Sequence, residues 1–158
     1  MKDCELAVKT NWQTAWRVRE ANFPLEIAFT RPRRTAAISL TGAWCALSCA
    51  HCGRRYLHGM MPAWRADVSQ ATSCLISGGC DAEGRVPVGR YLERVREWRV
   101  GRRMNWHVGL IGEAEIVAIA PLVDVVSFDF VGDHETIREV SGLSCTVEDD
   151  LLAYQMRR

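Results

Sequence analysis

The chain has 158 residues, 48% hydrophobic and 25% charged, with 20 basic against 19 acidic side chains and a net charge of +1. This is the size and composition of one globular domain with a real core, and the balanced charge gives no electrostatic reason to expect nucleic acid as a partner. No apolar run approaches the roughly 20 residues that span a bilayer, and the N-terminal "MKDCELAVKTNWQTAWRVRE" lacks an apolar signal core, so the expectation is a cytoplasmic protein without a membrane partner.

Residues 1–34 read as a mixed, helix-leaning extension that ends in the connector "TRPRR", where Pro32 argues against a continuing helix. The arginines there, at Arg102-Arg103 and at Arg157-Arg158 are expected on solvated faces. From Thr35 to the end, residues 35–158, strands and helices alternate. "TAAISLTG" predicts a short buried strand closed by Gly42. The cysteine-bearing stretch "AWCALSCAHCGRRYLHGM" follows it, and "MMPAWRADVSQATS" is expected to hold a less regular crossover helix. "SCLISGG" (73–79) predicts a second strand and "VGRYLERVREWRV" a helix with Val88, Leu92, Val95 and Trp98 close to one face. "RMNWHVGLI" (103–111) is a third strand, "EAEIVAIAPLV" a short helix, and "DVVSFDFVG" (124–132) a fourth strand. "TVEDDLLAYQMRR" predicts a last helix with Thr146 as N-cap.

This alternation implies parallel strands joined by right-handed crossovers, with the strands nearly all apolar as buried parallel strands are. The fold class is α/β: about four β/α units, a partial parallel (β/α) barrel or open sheet. Chemistry in such folds gathers at the C-terminal ends of the strands. The notable motifs sit there: the cysteine loop after strand one, "SGGCD" after strand two, "HVGLIGE" after strand three and "DFVGDHE" after strand four.

Seven cysteines are an odd number, and in a reducing compartment they favour metal or redox chemistry over a disulfide framework. Three of them, Cys45, Cys49 and Cys52, form CxxxCxxC with no fourth nearby. Three thiolates on a four-iron, four-sulfur cluster leave one iron open to a small molecule, as catalytic zinc sites keep one position open. The competing reading is a structural zinc with His51 or His58 as fourth ligand. Cys4, Cys74, Cys80 and Cys145, taken singly, read as small buried hydrophobes, and no second cysteine string is present to hold a second cluster or supply sulfur.

CxxxCxxC just after the first strand of a β/α chain resembles the radical S-adenosylmethionine superfamily. His51 stands before the third cysteine, where an aromatic residue is common in that superfamily, and Gly78-Gly79 resembles its glycine-rich motif. The resemblance covers about residues 35–150, and the longer wording is nearest to the biotin synthase and lipoyl synthase-like subgroup. It implies a [4Fe-4S] cluster on Cys45, Cys49 and Cys52. S-adenosyl-L-methionine would be cleaved reductively to a 5′-deoxyadenosyl radical that abstracts hydrogen from substrate, in the subgroup for sulfur insertion. It further implies an electron donor such as ferredoxin or flavodoxin. The glycine pair is commonly followed by an acidic residue. Here Cys80 takes that position and Asp81 comes next, so the amino-group contact falls to backbone carbonyls or to Asp81. Relatives usually have six β/α units, so the chain reads as truncated or as completed by a partner subunit. The reading from another class is a non-catalytic iron–sulfur or zinc-binding subunit.

Around this centre, His107 and Asp129 are expected to face the cofactor or substrate. Asp129 is expected as a buried carboxylate in need of a partner, and a satisfied core histidine is the alternative for His107. For Gly78 and Gly79 the alternative is a plain turn. Glu113 and Asp133 are expected as solvated loop acids, and Tyr56 either packs beside the cysteine loop or is an ordinary core aromatic.

Overall fold

The structure is a computed structural model that describes residues 2–27, 29 and 31–155, and the side chains of 2–10, 150 and 154 lie outside the description. The chain divides into two compact units, Met1–Pro32 and Arg33–Arg158. The first holds helix α1 (Lys2–Asn22). Arg19 finishes it by donating to the carbonyls of Phe23 and Pro24, and Asn22 donates back to the Val18 carbonyl. No helix among the described residues is long and apolar enough to cross a membrane.

The second unit is built on a five-stranded, all-parallel sheet in the order β2-β1-β3-β4-β5. The strands are β1 (Thr35–Ser39), β2 (Met61–Pro62), β3 (Ser73–Ser77), β4 (Arg103–His107) and β5 (Val125–Ser127). The α/β class and parallel sheet expected from the alternation are both present. The four predicted strands lie side by side in chain order, with β2 added at the edge.

Successive side chains on a strand point to opposite faces, and the two faces here differ in kind. One carries the rows Ala36–Cys74–Met104 and Ile38–Ile76–Trp106, in register across three strands and all buried. Helices and connectors cover this face through Val86, Val88, Val95, Trp98, Ile119 and Leu122. Burying a side chain the size of Ile38 or Ile76 contributes about 1.5–3 kcal/mol, so this row is the main stabilising contact of the unit. Trp106 also needs a partner for its indole N–H, and donates to the Leu122 carbonyl at 2.9 Å. The opposite face is more polar, with Ala37, Leu75 and Val125 set among hydroxyl and amide side chains. Thr35 meets Ser73 at 2.7 Å, and Ser127 donates to Asn105 at 3.0 Å. The expectation of strands nearly all apolar holds on the helix-covered side, while the other side is mixed.

Three further elements depart from the sequence expectation. The stretch after the cysteines contains no α-helix. It forms β2, paired with β1 through Ile38–Met61 and Ser39–Pro62, and then a 3-10 turn over Ala63–Arg65. Pro62 has no N–H for a second neighbour and so suits an edge strand. The predicted helix near 88–100 is α2 (Leu92–Arg99), which starts later because Tyr91 takes a left-handed conformation, φ 60°. An unpredicted helix, α4 (His134–Ser141), follows β5; its N-cap is Asp133, whose Oδ1 accepts from Thr136 N–H at 2.7 Å. The remaining helices match: α3 (Glu113–Ile119) leads into a 3-10 turn at Pro121, and α5 (Val147–Gln155) follows Thr146. Thr146 Oγ1 accepts from Asp149 N–H, and the Asp149 carboxylate accepts from Thr146 N–H, a reciprocal cap.

Candidate functional site

The polar face of the sheet opens at its C-terminal edge into a cavity lined by residues 45–57, 77–86, 107–110, 128–131 and 137–145 in part. Four of the strand-end motifs picked out in the sequence therefore share one cavity. Its construction begins at Ser39 and Thr41, both buried. Ser39 Oγ donates to the Gly42 carbonyl at 2.7 Å, which turns the chain out of β1, and Gly42 takes φ +62° against the ring of Trp64. Thr41 Oγ1 donates to the Trp44 carbonyl at 2.8 Å and accepts from Gly79 N–H at 2.7 Å. One hydroxyl thus ties the start of the cysteine loop to the glycine pair after β3.

Gly79 is under the loop. A Cβ there would stand 1.9 Å from the Trp44 carbonyl oxygen and 2.6 Å from Cys45 Cβ. The loop lies on Gly79 because there is no side chain to hold it off. The Ala46 N–H donates to the Cys80 carbonyl at 2.8 Å, and the Cys80 N–H donates to Cys45 Sγ at 3.3 Å. Gly78 contributes its carbonyl, which accepts from the Tyr56 hydroxyl at 3.2 Å. Tyr56 also lies 3.2 Å from Ser77 Oγ, and its pKa is raised by burial, an effect partly offset by the Ser77 hydrogen bond. Tyr56 is thus a tie between the loop and β3.

The three loop cysteines all face the cavity, and each sulfur has a different neighbour. Cys45 Sγ meets the Cys80 N–H, Cys49 Sγ approaches the Ser141 carbonyl at 3.8 Å, and Cys52 Sγ accepts from Arg54 N–H at 3.4 Å. The loop is closed by Gly53 N–H to the Cys49 carbonyl at 2.7 Å and by Arg54 Nε to the Leu47 carbonyl at 2.9 Å. Arg54 pays for this closure with a left-handed φ of 64°. Helix α4 supports the far side, where Ala50 N–H donates to the Val140 carbonyl at 2.7 Å.

Among the described residues, no three His, Cys, Asp or Glu side chains are close enough together to hold one metal ion. The chain matches no known family model, no curated protein and no solved structure. The site is therefore read from its own geometry.

Of the other sequence-selected residues, Gly78, Gly79, Cys80, His107 and Asp129 line the same cavity as the three cysteines. His107 Nε2 lies 3.1 Å from Asp129 Oδ2. Asp129 is not a buried strand residue: β5 ends at Ser127, and the Asp129 side chain is 78% exposed with His107 as its partner. Asp81 stands apart from the cavity lining. Its Oδ1 accepts from Glu83 N–H and Arg85 N–H, at 3.0 and 2.8 Å, and shapes the turn that follows. Glu113 is exposed at the start of α3, and Asp133 is a helix cap. His51 lines the cavity; His58 does not.

The scattered cysteines divide. Cys74 is fully buried in the core, as expected of a small hydrophobe, whereas Cys80 and Cys145 line the cavity; the side chain of Cys4 lies outside the described residues. Burial, then the charge of Cys45, pushes the Cys80 thiol up to about 12. In the metal-free chain Cys80 is a neutral thiol at physiological pH. Burial also raises Cys49, with Cys52 and Cys45 adding to the shift. Sequence reasoning missed the α4 wall and Cys145. Cys145 has no spacing signal, because it reaches the cavity only through tertiary packing, whereas α4 is marked by its caps, Asp133 and Gly142.

Proposed function

We propose that the chain is a radical S-adenosylmethionine enzyme that binds a [4Fe-4S] cluster through Cys45, Cys49 and Cys52. The observation that carries this reading is the convergence of three loop thiols on one cavity at the C-terminal edge of an all-parallel sheet. A tetrahedral zinc ion brings its ligand sulfurs to about 4 Å from one another. Among the described residues no three such side chains are grouped around one ion, and the three sulfurs have separate neighbours, as ligands to three separate irons would. When bound, such a cluster supplies one-electron reduction of a sulfonium compound docked at the iron that the protein leaves without a side chain.

The chain's own residues do the rest. The N–H groups of Cys80 and Arg54 donate to Cys45 Sγ and Cys52 Sγ, and hydrogen bonds to sulfur tune the reduction potential of a cluster. Gly79 gives the loop its seat, while Gly79 N–H and Gly78 O are engaged by Thr41 and Tyr56. Cofactor contact at the pair falls to its other atoms. His107 and Asp129 offer a hydrogen-bonding pair on the cavity wall. Leu47, Leu57, Val86, Leu110 and Leu143 supply apolar walls that keep water away from a reactive intermediate.

The sheet belongs, in this reading, to a partial (β/α) barrel: β1, β3, β4 and β5 are neighbours in chain order, and β5 stands at an edge. Pairing of that edge by further strands, from a partner subunit or from more chain, completes the cavity wall. In this reading a ferredoxin or flavodoxin supplies the electron, and a sulfur insertion of the biotin synthase or lipoyl synthase kind would need a sulfur donor other than this chain's own residues. Anaerobic reconstitution with iron and sulfide tests the metal assignment. About four irons per chain are expected, lost in Cys49→Ala while circular dichroism stays unchanged. Zinc in place of iron, or full iron retention by Cys49→Ala, contradicts it.

A further inference from the structure

Cys80 is a cavity thiol outside the loop whose backbone is hydrogen-bonded to the loop itself. We propose that Cys45 and Cys80 form a reversible disulfide in the metal-free chain, a thiol-oxidation site that blocks metal loading. The Cys80 N–H reaches Cys45 Sγ at 3.3 Å, and Cys80 O holds Ala46 N–H at 2.8 Å. A disulfide spans about 4.4–6.8 Å between Cα atoms. Adding the N–Cα bond to the N–H···S contact puts Cys45 Sγ no more than about 4.8 Å from Cys80 Cα. The two segments cannot drift apart freely, because Thr41 Oγ1 ties Trp44 to Gly79 one residue away on each side. The other loop sulfurs point elsewhere, Cys49 toward the Ser141 carbonyl and Cys52 toward Arg54 N–H. Cys74, although close in sequence to Cys80, is buried on the opposite face of the sheet.

The step balances with a disulfide oxidant such as oxidised glutathione. Cys45 attacks one glutathione sulfur and releases one glutathione thiolate. Cys80 then displaces the second glutathione from Cys45, forms the protein S–S bond and gives its proton to solvent. Two protein thiols are oxidised, and one oxidised glutathione becomes two reduced molecules. Proximity drives the second exchange: the Cys80 backbone is held against Cys45 Sγ, so its thiol reaches the target by side-chain rotation rather than by arriving from solution. The bond removes one of three ligands, so the oxidised chain is locked in the metal-free state until it is reduced. The disulfide stands on geometry alone, while its effect on loading rests on the metal reading above.

The test uses the metal-free chain, incubated with oxidised glutathione, blocked with iodoacetamide and digested with trypsin without reductant. The expected product joins peptides 35–54 and 66–85, with fragment ions assigning Cys45 to Cys80; it disappears with dithiothreitol and is absent from Cys80→Ala. A bridge confined to 35–54, a bridge from Cys80 to Cys145, or glutathione left on Cys45 as the final product overturns the proposal. Iron uptake by the oxidised wild-type chain is expected to fall at least about tenfold and to recover on reduction, as ligation needs the free thiolate. Equal uptake by both forms overturns the block on loading. If the reduced chain takes up no iron, the metal assignment fails, and the linked peptide alone decides the disulfide.

Discussion

A methyl group on Gly79 would stand 1.9 Å from the Trp44 carbonyl oxygen, whereas one on Gly78 meets nothing nearer than 3.2 Å. The obstacle at Gly79 is backbone, which cannot rotate away. Gly79→Ala is therefore expected to lower stability by about 2 kcal/mol, the order found for overpacked sites, and to reduce iron uptake because the cysteine loop is lifted from its seat. Gly78→Ala is expected to be milder on both counts; equal effects in thermal denaturation and iron assays would contradict the packing role. Titration gives a second prediction at this scale. Cys49, Cys74 and Cys80 all have thiol pKa values raised by burial from 9.0, Cys80 to about 12. A group that holds its proton more tightly when folded contributes stability that is present below its unfolded pKa and lost as pH rises toward its folded one. The metal-free chain is expected to lose stability progressively above pH 9, measured by urea midpoints. A flat profile from pH 9 to 10.5 (roughly midway up that window) would contradict the burial of these thiols.

Helix α4 walls the cavity on the side away from the sheet's cysteine loop seat. Its Val140 carbonyl takes the Ala50 N–H, and its Ser141 carbonyl faces Cys49 Sγ. Asp133 caps its N-terminus through Thr136 and is held below the usual carboxylate range by those hydrogen bonds. Asp133→Ala is expected to lower stability, as removal of such caps does, with a drop in hydrogen-exchange protection confined to the helix and the cysteine loop. Loss of protection across the sheet instead would show that the helix and loop are not a local unit. Asp133 and Gly142 mark the two ends of the helix in the sequence, but the residues between them follow directly on the last strand and read as its loop. The strands were legible because a run of apolar residues closed by glycine has few other solutions. β2 was not, because two residues carry no periodicity and their pairing depends on β1 alone.

Across the whole molecule, the legible part of the site was the part encoded by spacing. CxxxCxxC and Gly-Gly announce themselves in the linear sequence, and the rule that α/β sheets carry their chemistry at the C-terminal edge brought His107 and Asp129 to the same place. Tertiary packing supplied the rest. Asp81 was drawn into a backbone turn, Cys80 and Cys145 were carried into the cavity, and Asp129 emerged exposed beside His107. The polar face of the sheet was hidden for the same reason, since Ser39, Ser77, Asn105 and Ser127 alternate with the apolar residues that dominate each run. The central claim is that three thiols hold iron with one coordination position left for S-adenosylmethionine. The measurement that addresses it most directly is anaerobic incubation of the iron-loaded chain, with any strand-completing partner present, with S-adenosylmethionine and dithionite, followed by chromatography of the products. Release of 5′-deoxyadenosine and methionine in equal amounts, abolished in Cys49→Ala, is the predicted result. A fully reduced cluster that leaves S-adenosylmethionine intact would contradict it.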